Sequence, residues 1–310
     1  SLWAGNQIYA MRPISVDDGL SQSHVTAIVQ DHMGYVWVGT AVGLNRYDGH
    51  LFRTYTHSSE KPGSLSGDGI YSLHIDVKHR LWVGTDQGLD LYEPKTDSFR
   101  HFPKVGGPRA PRIRTLDSDS AGNVWASMWA RGAGNWVVAR LSPETGEIQR
   151  FSFSRVVNGE VVALHALDAR RVLVVVRKLE ASLPGAGLTV VLLNPETGSW
   201  VEFSCRNPEA IPSVVGERDV SLAWSGPNWI WIGAPGSHIF RVDLENEELV
   251  PTAYAPDPKA GNLPGLVSHV VAGPKGEVWV LPTYSALVRR TGANAIYTLR
   301  NDGEPPRRSS

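Results

Sequence analysis

The sequence predicts an all-β fold, a β-propeller made of four-stranded antiparallel blades. Three observations carry this prediction: a repeated phrase, a regular spacing, and short apolar runs separated by turn residues. "GYVWVGTAVGLNRYDG" begins at Gly34, and "HRLWVGTDQGLDLYEP", which has the same Trp-Val-Gly-Thr and the same later Gly, Leu and Tyr, begins at His79. A repeat of roughly 40 to 50 residues is typical of propeller blades.

Tryptophan marks the second strand of each period. Related segments surround Trp37, Trp82, Trp125, Trp231 and Trp279, and we assign Val174 to the same position in the long interval before Trp231. A single small sheet cannot bury both of its faces, so each blade must stack on a neighbour. We therefore expect these tryptophans to fill the space between blades, and the glycine that follows to let backbones approach.

The other strands follow in order within each period. An apolar segment such as "HVTAIVQD" precedes the Trp strand and predicts the first strand. Turns at residues 31–34, 76–79 and 119–122 then begin with Asp, whose carboxylate accepts bonds from nearby backbone amides. "GLNRYDG" and "LFRTYTH" predict the third and fourth strands of the first blade. No amphipathic helix of useful length is indicated.

The repeats predict one domain that spans residues 1–310. We place an N-terminal strand at residues 7–15 and blades at residues 22–56, 68–103, 111–154, 160–205, 217–255 and 265–300. "AIYTLR" is assigned as the fourth strand of the sixth blade. Six blades are recognisable. An incomplete seven-bladed ring is the open alternative, because "NDGEPP" near the C-terminus resembles the "DDGLSQ" before the first blade.

Composition excludes several classes of function. The formal net charge of -1 and the pI near 6.8 argue against a general basic surface for nucleic acid. Cys205 is the only cysteine, which excludes an intrachain disulfide and a multi-cysteine metal site. No run of about 18 apolar residues is present. Motif searches for nucleophilic serine, zinc-protease and phosphate-loop patterns find nothing, so no catalytic residue, metal or cofactor is predicted.

The segment "ISVDDGLSQSHVTAIVQDHMGYVWVGTAVGLNRYDGHLFRTY" resembles the opening of the two-component regulator propeller family. The resemblance is strong over residues 13–102 and fades to spacing alone beyond Ser127. It implies a non-catalytic sensor domain in the periplasm or otherwise outside the cytoplasm, often for carbohydrate-type ligands. It also implies a membrane-anchored receptor whose histidine kinase or diguanylate cyclase lies outside this chain.

The best candidates for a binding site lie in the loops. In a propeller, the connections between blades and those between second and third strands meet at one face, and loops on a rigid scaffold carry function. "SMWARGAGNW" from Ser127 and "RKLEASLPGAG" from Arg177 lengthen two of these connections. An exposed Trp beside an Arg suits stacking on a sugar ring or on a protein partner. The predicted ligand-binding residues are Trp129, Arg131, Asp86, Asp68, Arg112, Arg114, Arg218 and Asp219.

Plainer interpretations and other functions stay open. In the plainer interpretation, the Trp129 side chain covers its own loop, and each charged loop residue faces solvent without binding a ligand. One alternative function is a propeller enzyme of lyase or lactonase type, which needs a convergent His and acid cluster, or a metal, at the axis. Another is a scaffold that binds a receptor module, a second propeller or a second copy of itself. We expect membrane contact only through parts outside this chain.

Overall fold

The computed structural model describes residues 14–102, 105, 111–130, 135–153, 159–178, 188–205, 220–224, 229–234, 238–253, 266–272, 278–283, 297–299 and 307–308. Apart from a short 3₁₀ turn at Val16–Asp18, the regular structure in these ranges is β-strand. In the same ranges no helix has the length and apolar character that a membrane crossing requires. Only residues 14 and 15 of the predicted N-terminal strand are described, and Ser15 caps the 3₁₀ turn.

The first three blades are regular four-stranded antiparallel sheets, each with its strands in chain order. Blade 1 contains β1 (Val25–Gln30), β2 (Val36–Thr40), β3 (Gly43–Tyr47) and β4 (Phe52–Tyr55). Blade 2 contains β5 (Ile70–Ile75), β6 (Leu81–Thr85), β7 (Gly88–Glu93) and β8 (Ser98–His101). Blade 3 contains β9 (Arg112–Ser118), β10 (Val124–Ala130), β11 (Asn135–Leu141) and β12 (Ile148–Ser152).

Three further sheets follow, so the described residues form six blades and the predicted all-β propeller is confirmed. Blade 4 contains β13 (Gly159–Ala166), β14 (Val172–Lys178), β15 (Leu188–Asn194) and β16 (Ser199–Glu202). Blade 5 contains β17 (Ser204–Cys205), β18 (Ser221–Trp224), β19 (Trp229–Ala234), β20 (His238–Asp243) and β21 (Glu248–Ala253). Blade 6 contains β22 (Leu266–Ala272), β23 (Val278–Thr283), β24 (Tyr297–Leu299) and β25 (Arg307–Arg308).

Two strand assignments made from the sequence are wrong. The segment "AIYTLR" is the third strand of blade 6, because β24 pairs directly with β23 through Val280 and Tyr297. The fourth place belongs to β25 near the C-terminus. In addition, the chain leaves blade 4 after Glu202, and β17 pairs in parallel with β21 at the edge of blade 5. The extent of the domain stays a prediction.

The first strands lie on the inner side of the ring. Strand β1 contacts β5, β5 contacts β9, and β9 contacts β13. The second-strand tryptophans of blades 1, 2 and 3 point from one blade towards the next, and all three are buried: Trp37 packs with residues of blade 2, Trp82 with blade 3 and Trp125 with blade 4. This confirms that tryptophan fills the space between neighbouring blades.

The turn aspartates hold these tryptophans. The indole nitrogen of Trp37 donates to Asp31 at 2.7 Å, that of Trp82 to Asp76 at 2.8 Å, and that of Trp125 to Asp119 at 3.0 Å. The same carboxylates accept bonds from backbone amides of their own turns. Each aspartate therefore satisfies a buried indole N–H and shapes the hairpin that carries it.

Blade 4 differs from the prediction by one residue. Leu167 donates its backbone N–H to Arg171, as Asp119 does to Asn123 in blade 3, so Leu167 occupies the turn-aspartate position. Leu173 then occupies the tryptophan position and packs towards blade 5. Val174, which the sequence assigned to that position, points to the opposite face and packs with Trp125 of blade 3.

Candidate functional site

A pocket of about 600 Å³ lies at one end of blades 2, 3 and 4. We call it the strand-end pocket, because first strands begin there and second strands end there. Its size suits a small ligand. It is lined by Tyr71, Arg112, Arg114, Trp129, Trp136, Glu160 and Arg177.

Three blades supply these side chains from the same ends of their strands. Tyr71, Arg112 and Glu160 belong to the first two residues of β5, β9 and β13. Trp129 and Arg177 are the next-to-last residues of β10 and β14. Because the strands of each blade are antiparallel, these ends meet at the same side of the ring, as the sequence predicted for the loop face.

A recurrent β-bulge directs two of the lining side chains into the pocket. The pairing of first and second strands skips one residue in blades 1, 2, 3, 4 and 6, and that residue is Tyr71 in blade 2 and Arg114 in blade 3. A bulge breaks the alternation of side chains and redirects the extra residue. Both Tyr71 and Arg114 line the pocket.

Arginine dominates the electrostatics of the pocket. Arg177 forms an ion pair with Glu160, and the Nε atom of Arg114 lies 3.6 Å from the other Glu160 oxygen. The guanidinium of Arg112 lies over the ring of Tyr71, with 4.9 Å between its Cζ atom and the ring centroid. Glu160 thus fixes two of the arginines, while Tyr71 supports the third.

Blade 3 contributes a cross-strand row of large side chains. In the ladder, Arg112 is opposite Trp129, and Trp129 is opposite Trp136. The two indole rings are 5.8 Å apart at an interplanar angle of 67°. Residues directly opposite each other in a sheet lie on the same face, so the row forms one half-buried platform with a cation at its inner end.

The structure brings together three of the eight predicted site residues, Trp129, Arg112 and Arg114. Asp86 lies beside the pocket: a Cβ atom at Gly69 would be 3.4 Å from Asp86 and 3.5 Å from Tyr71. Asp68 accepts the backbone N–H of His57 at 2.6 Å, which gives it a structural role. The remaining three candidates, Arg131, Arg218 and Asp219, lie outside the described residues.

The sequence did not single out Tyr71, Trp136 or Glu160 as site residues. Trp136 packs on Trp129. Arg177 was noted only as the start of a long connection. Their shared signal is position, since each stands within two residues of a strand end on one side of three adjacent blades.

A second polar cluster lies along the inner strands. Asp117 is five residues after Arg112 on β9, roughly 16 Å further along the strand. Its carboxylate accepts bonds from His165 Nδ1 at 2.7 Å and from the backbone of Ala166 at 2.9 Å. The Nε2 atom of His74 is 3.8 Å from the other oxygen of Asp117 and 2.8 Å from the hydroxyl of Ser118.

Burial governs the protonation of this cluster. Burial lowers the pKa of His74, against the attraction of Asp117. For Asp117, burial acts to raise the pKa, but the hydrogen bond and charge of His165 outweigh it, so the pKa of Asp117 is lower than usual. Among the residues that the structure describes, no group of three His, Cys, Asp or Glu side chains could hold a metal ion.

A second pocket, of about 630 Å³, lies between blades 1 and 2. Its lining includes Asp31 and Trp37, the aspartate–tryptophan pair of blade 1. Arg46 lies over the ring of Tyr35 and donates to the hydroxyl of Tyr92 at 3.1 Å. These contacts connect the two blades, which explains the lining residues without a ligand.

Comparison with protein families gives a match for the first blade. The family model described as "Two component regulator propeller" matches residues 19–41. Residues 19–41 of this chain are similar to a two component regulator propeller repeat. The matched residues fall within the range where the sequence resembles that family most strongly, so the resemblance is confirmed there.

One curated relative and several solved structures resemble this chain. Histidine kinase P4 of Formosa agariphila is 46% identical over 66 residues, which is 21% of this chain and 5% of the kinase. The extracellular domain of a putative hybrid two component system of B. thetaiotaomicron has a TM-score of 0.66 at 17% identity and is matched over 94% of this chain and 35% of its own. A second such domain from B. thetaiotaomicron has a TM-score of 0.66 at 17% identity, and the match covers 98% of this chain and 38% of that domain.

PorZ, a surface component of the type-IX secretion system of Porphyromonas gingivalis, has a TM-score of 0.65 at 16% identity. The match covers 94% of this chain and 42% of PorZ. At these identities the likenesses show the propeller fold. The chain spans little more than a third of the length of the B. thetaiotaomicron domains and a small part of the kinase. It is thus a propeller that resembles extracellular domains of two component systems.

Proposed function

We propose that this propeller is a ligand-sensing domain of a bacterial two-component-type receptor, located outside the cytoplasm. On this proposal it is not itself catalytic, and its strand-end pocket takes a carbohydrate-like ligand or a partner module. The supporting observation is the construction of the pocket from three blades. A ligand there contacts blades 2, 3 and 4 together and would favour one arrangement of them, which is what a sensor requires.

The ligand is sought with a panel of mono- and oligosaccharides in a thermal-shift assay, and each hit is measured by isothermal titration calorimetry. We expect Trp129→Ala to weaken binding at least tenfold, because it removes the platform. The matched control is Trp200→Ala, on the outer strand β16, where the indole packs on Phe153. Undiminished affinity of the Trp129 variant, or the lack of any hit, would contradict the proposal.

The location is tested separately from binding. The family repeat and the extracellular domains that share the fold support a site outside the cytoplasm. Fractionation of the source cells, with an antibody against this propeller, should detect it in the envelope or periplasmic fraction. Detection in the cytoplasmic fraction alone would contradict this part of the proposal and leave the binding result standing.

An enzymatic alternative draws on the cluster of His74, Asp117 and His165. A gluconolactonase of Xanthomonas campestris has a TM-score of 0.51 at 12% identity, which concerns the fold only. The contacts favour a structural role, because the Asp117 carboxylate is already bound by His165 and a backbone amide. The enzymatic alternative would be favoured if the protein hydrolysed a lactone, or bound divalent ions in calorimetry, and if Asp117→Asn abolished that activity or binding.

A further inference from the structure

The charge of the strand-end pocket restricts the ligand it can take. Its described lining residues include three arginines and one glutamate, a formal charge of +2. Glu160 is engaged by Arg177 and Arg114 on its two oxygens. A ligand with an anionic group would neutralise part of this positive charge, which a neutral ligand would not do.

Arg112 is the arginine best placed to receive that group. Its side chain is exposed, and its guanidinium lies over Tyr71. Among the described residues, no carboxylate forms an ion pair with it. Stacking uses the face of the guanidinium and leaves its N–H edge available, and that edge matches the two oxygens of a carboxylate.

The ladder of blade 3 sets the distance between the cation and the aromatic platform. Arg112 and Trp129 are directly opposite on neighbouring strands, which lie about 4.8 Å apart. A six-membered ring that stacks on Trp129 therefore places a carboxylate on its edge within reach of Arg112. Trp136 continues the row outward, with its indole inclined at 67° to that of Trp129, so a longer saccharide can reach a second aromatic ring.

We infer that the strand-end pocket takes an acidic saccharide, with its carboxylate on Arg112 and its ring on Trp129. This inference rests on the proposed sensing function and names the ligand class of the same site. Charge-assisted bonds to a carboxylate are the strong, geometrically selective contacts, and the indole face accepts the C–H face of a sugar.

The test compares matched ligands by isothermal titration calorimetry at two salt concentrations. The probes are galacturonate, digalacturonate, the corresponding neutral galactose ligands, and benzoate as a carboxylate without a sugar ring. We expect the acidic sugars to bind at least tenfold more tightly than the neutral ones, and to weaken as salt rises. We expect digalacturonate to bind best, because it spans both indoles.

Variants assign the preference to Arg112. Arg112→Gln should weaken the binding of galacturonate at least tenfold and leave the affinity for galactose unchanged. Arg112→Lys, which keeps the charge but loses the two-pronged edge, should fall in between. The matched control is Arg140→Gln, since Arg140 also lies over an aromatic ring, that of Trp125, but lies outside the pocket. Thermal unfolding of each variant confirms that it is folded.

The outcomes separate this inference from the proposed function. One outcome is that acidic and neutral sugars bind equally well, with an affinity that Arg112→Gln leaves unchanged and Trp129→Ala weakens. This result would overturn the inference of an acidic ligand but keep the proposed sensing site. Benzoate binding as tightly as galacturonate would overturn the saccharide class. A folded protein that binds none of the sugars would contradict both.

Discussion

At the scale of single residues, the aspartate of each early hairpin carries two functions. Asp76 and Asp119 are almost fully buried, with 3% and 1% of their surface exposed. Each accepts the indole N–H of the tryptophan six residues later, and each also accepts backbone amides of its turn. Burial alone would raise the pKa of Asp76, but bonds from Trp82 and Arg80 outweigh it, so this pKa is lowered. The carboxylate stays charged because its partners are fixed.

Removal of such a carboxylate should be costly. We expect Asp119→Ala to lower the free energy of unfolding by about 2 to 3 kcal/mol, because it leaves the buried indole N–H of Trp125 and a turn amide without an acceptor. Urea denaturation followed by circular dichroism measures the loss. Asp168→Ala is the matched control, since Asp168 lies in the equivalent turn of blade 4 and binds only exposed arginine groups. Equal losses in the two variants would contradict the indole role.

Two histidines should give opposite dependences of stability on pH. Burial lowers the pKa of His74, so its stabilising contribution is present above the unfolded value near 6.5 and is lost as the pH falls. The hydrogen bond from His101 to Asp90 raises the pKa of His101, so its contribution is present below 6.5 and is lost as the pH rises through the folded pKa.

The measurement is the melting temperature between pH 5 and pH 8. His101→Gln should lose most stability at pH 5 and approach the parent protein at pH 8. His74→Gln should compare best with the parent protein at pH 5, where the parent has lost more of the His74 contribution than at pH 8. Each variant is the control for the other, and parallel pH profiles would contradict the assignment of these two groups.

At the scale of elements, the glycine of the "WVGT" strand sets how closely two blades pack. A Cβ atom on Gly84 would lie 2.2 Å from Ser72 Oγ, which can rotate, but also 2.8 Å from Ile113 Cγ2 in blade 3, which cannot. Gly39 has the same relation to Ile70 of blade 2, at 2.6 Å. The expectation that these glycines permit close approach is confirmed.

Adding one methyl group there should therefore force blades 2 and 3 apart. We expect Gly84→Ala to cost about 1 to 3 kcal/mol of unfolding free energy, measured as a lower urea midpoint. Gly69→Ala is the control, because its Cβ atom would meet its neighbours at 3.4 Å or more, an ordinary contact. A midpoint for Gly84→Ala that equals that of the control would show that the blades adjust freely.

The limits of sequence reasoning are visible in the same elements. Spacing and turn chemistry predicted the blades, because the spacing recurs along the chain and the turn aspartate recurs in the first three periods. The bulges were not predicted, because one extra residue in a first strand leaves its apolar pattern almost unchanged, and they place Tyr71 and Arg114 in the pocket. Trp129 stood out because it breaks the repeat, whereas Glu160 looks like any strand residue. The assignment of Val174 to the tryptophan position of blade 4 was wrong by one residue, since Leu167 holds the turn position there and no tryptophan marks the strand.

At the scale of the whole molecule, the two faces of blade 1 differ. The face towards blade 2 buries Trp37 and Leu44. On the opposite face Val25 is 42% and Ile28 is 64% exposed, although their equivalents in blade 2, Ile70 and Leu73, are 1% and 9% exposed. Register fixes this equivalence, because Ile28 pairs with Val38 as Leu73 pairs with Val83. The open face has the composition of a surface that packs on a preceding blade.

A pair of substitutions tests whether anything covers that face in solution. Leu73→Ser should cost about 2 to 4 kcal/mol of unfolding free energy, because Leu73 is enclosed between blades 1 and 2. Ile28→Ser should change it by less than about 0.5 kcal/mol, as for an exposed residue. Urea denaturation of the 310-residue chain measures both. If Ile28→Ser lowers the unfolding free energy as much as Leu73→Ser does, the ring is closed onto blade 1 and six blades suffice. If it is neutral, the first face of blade 1 is free in this chain, which favours a ring with room for a seventh blade.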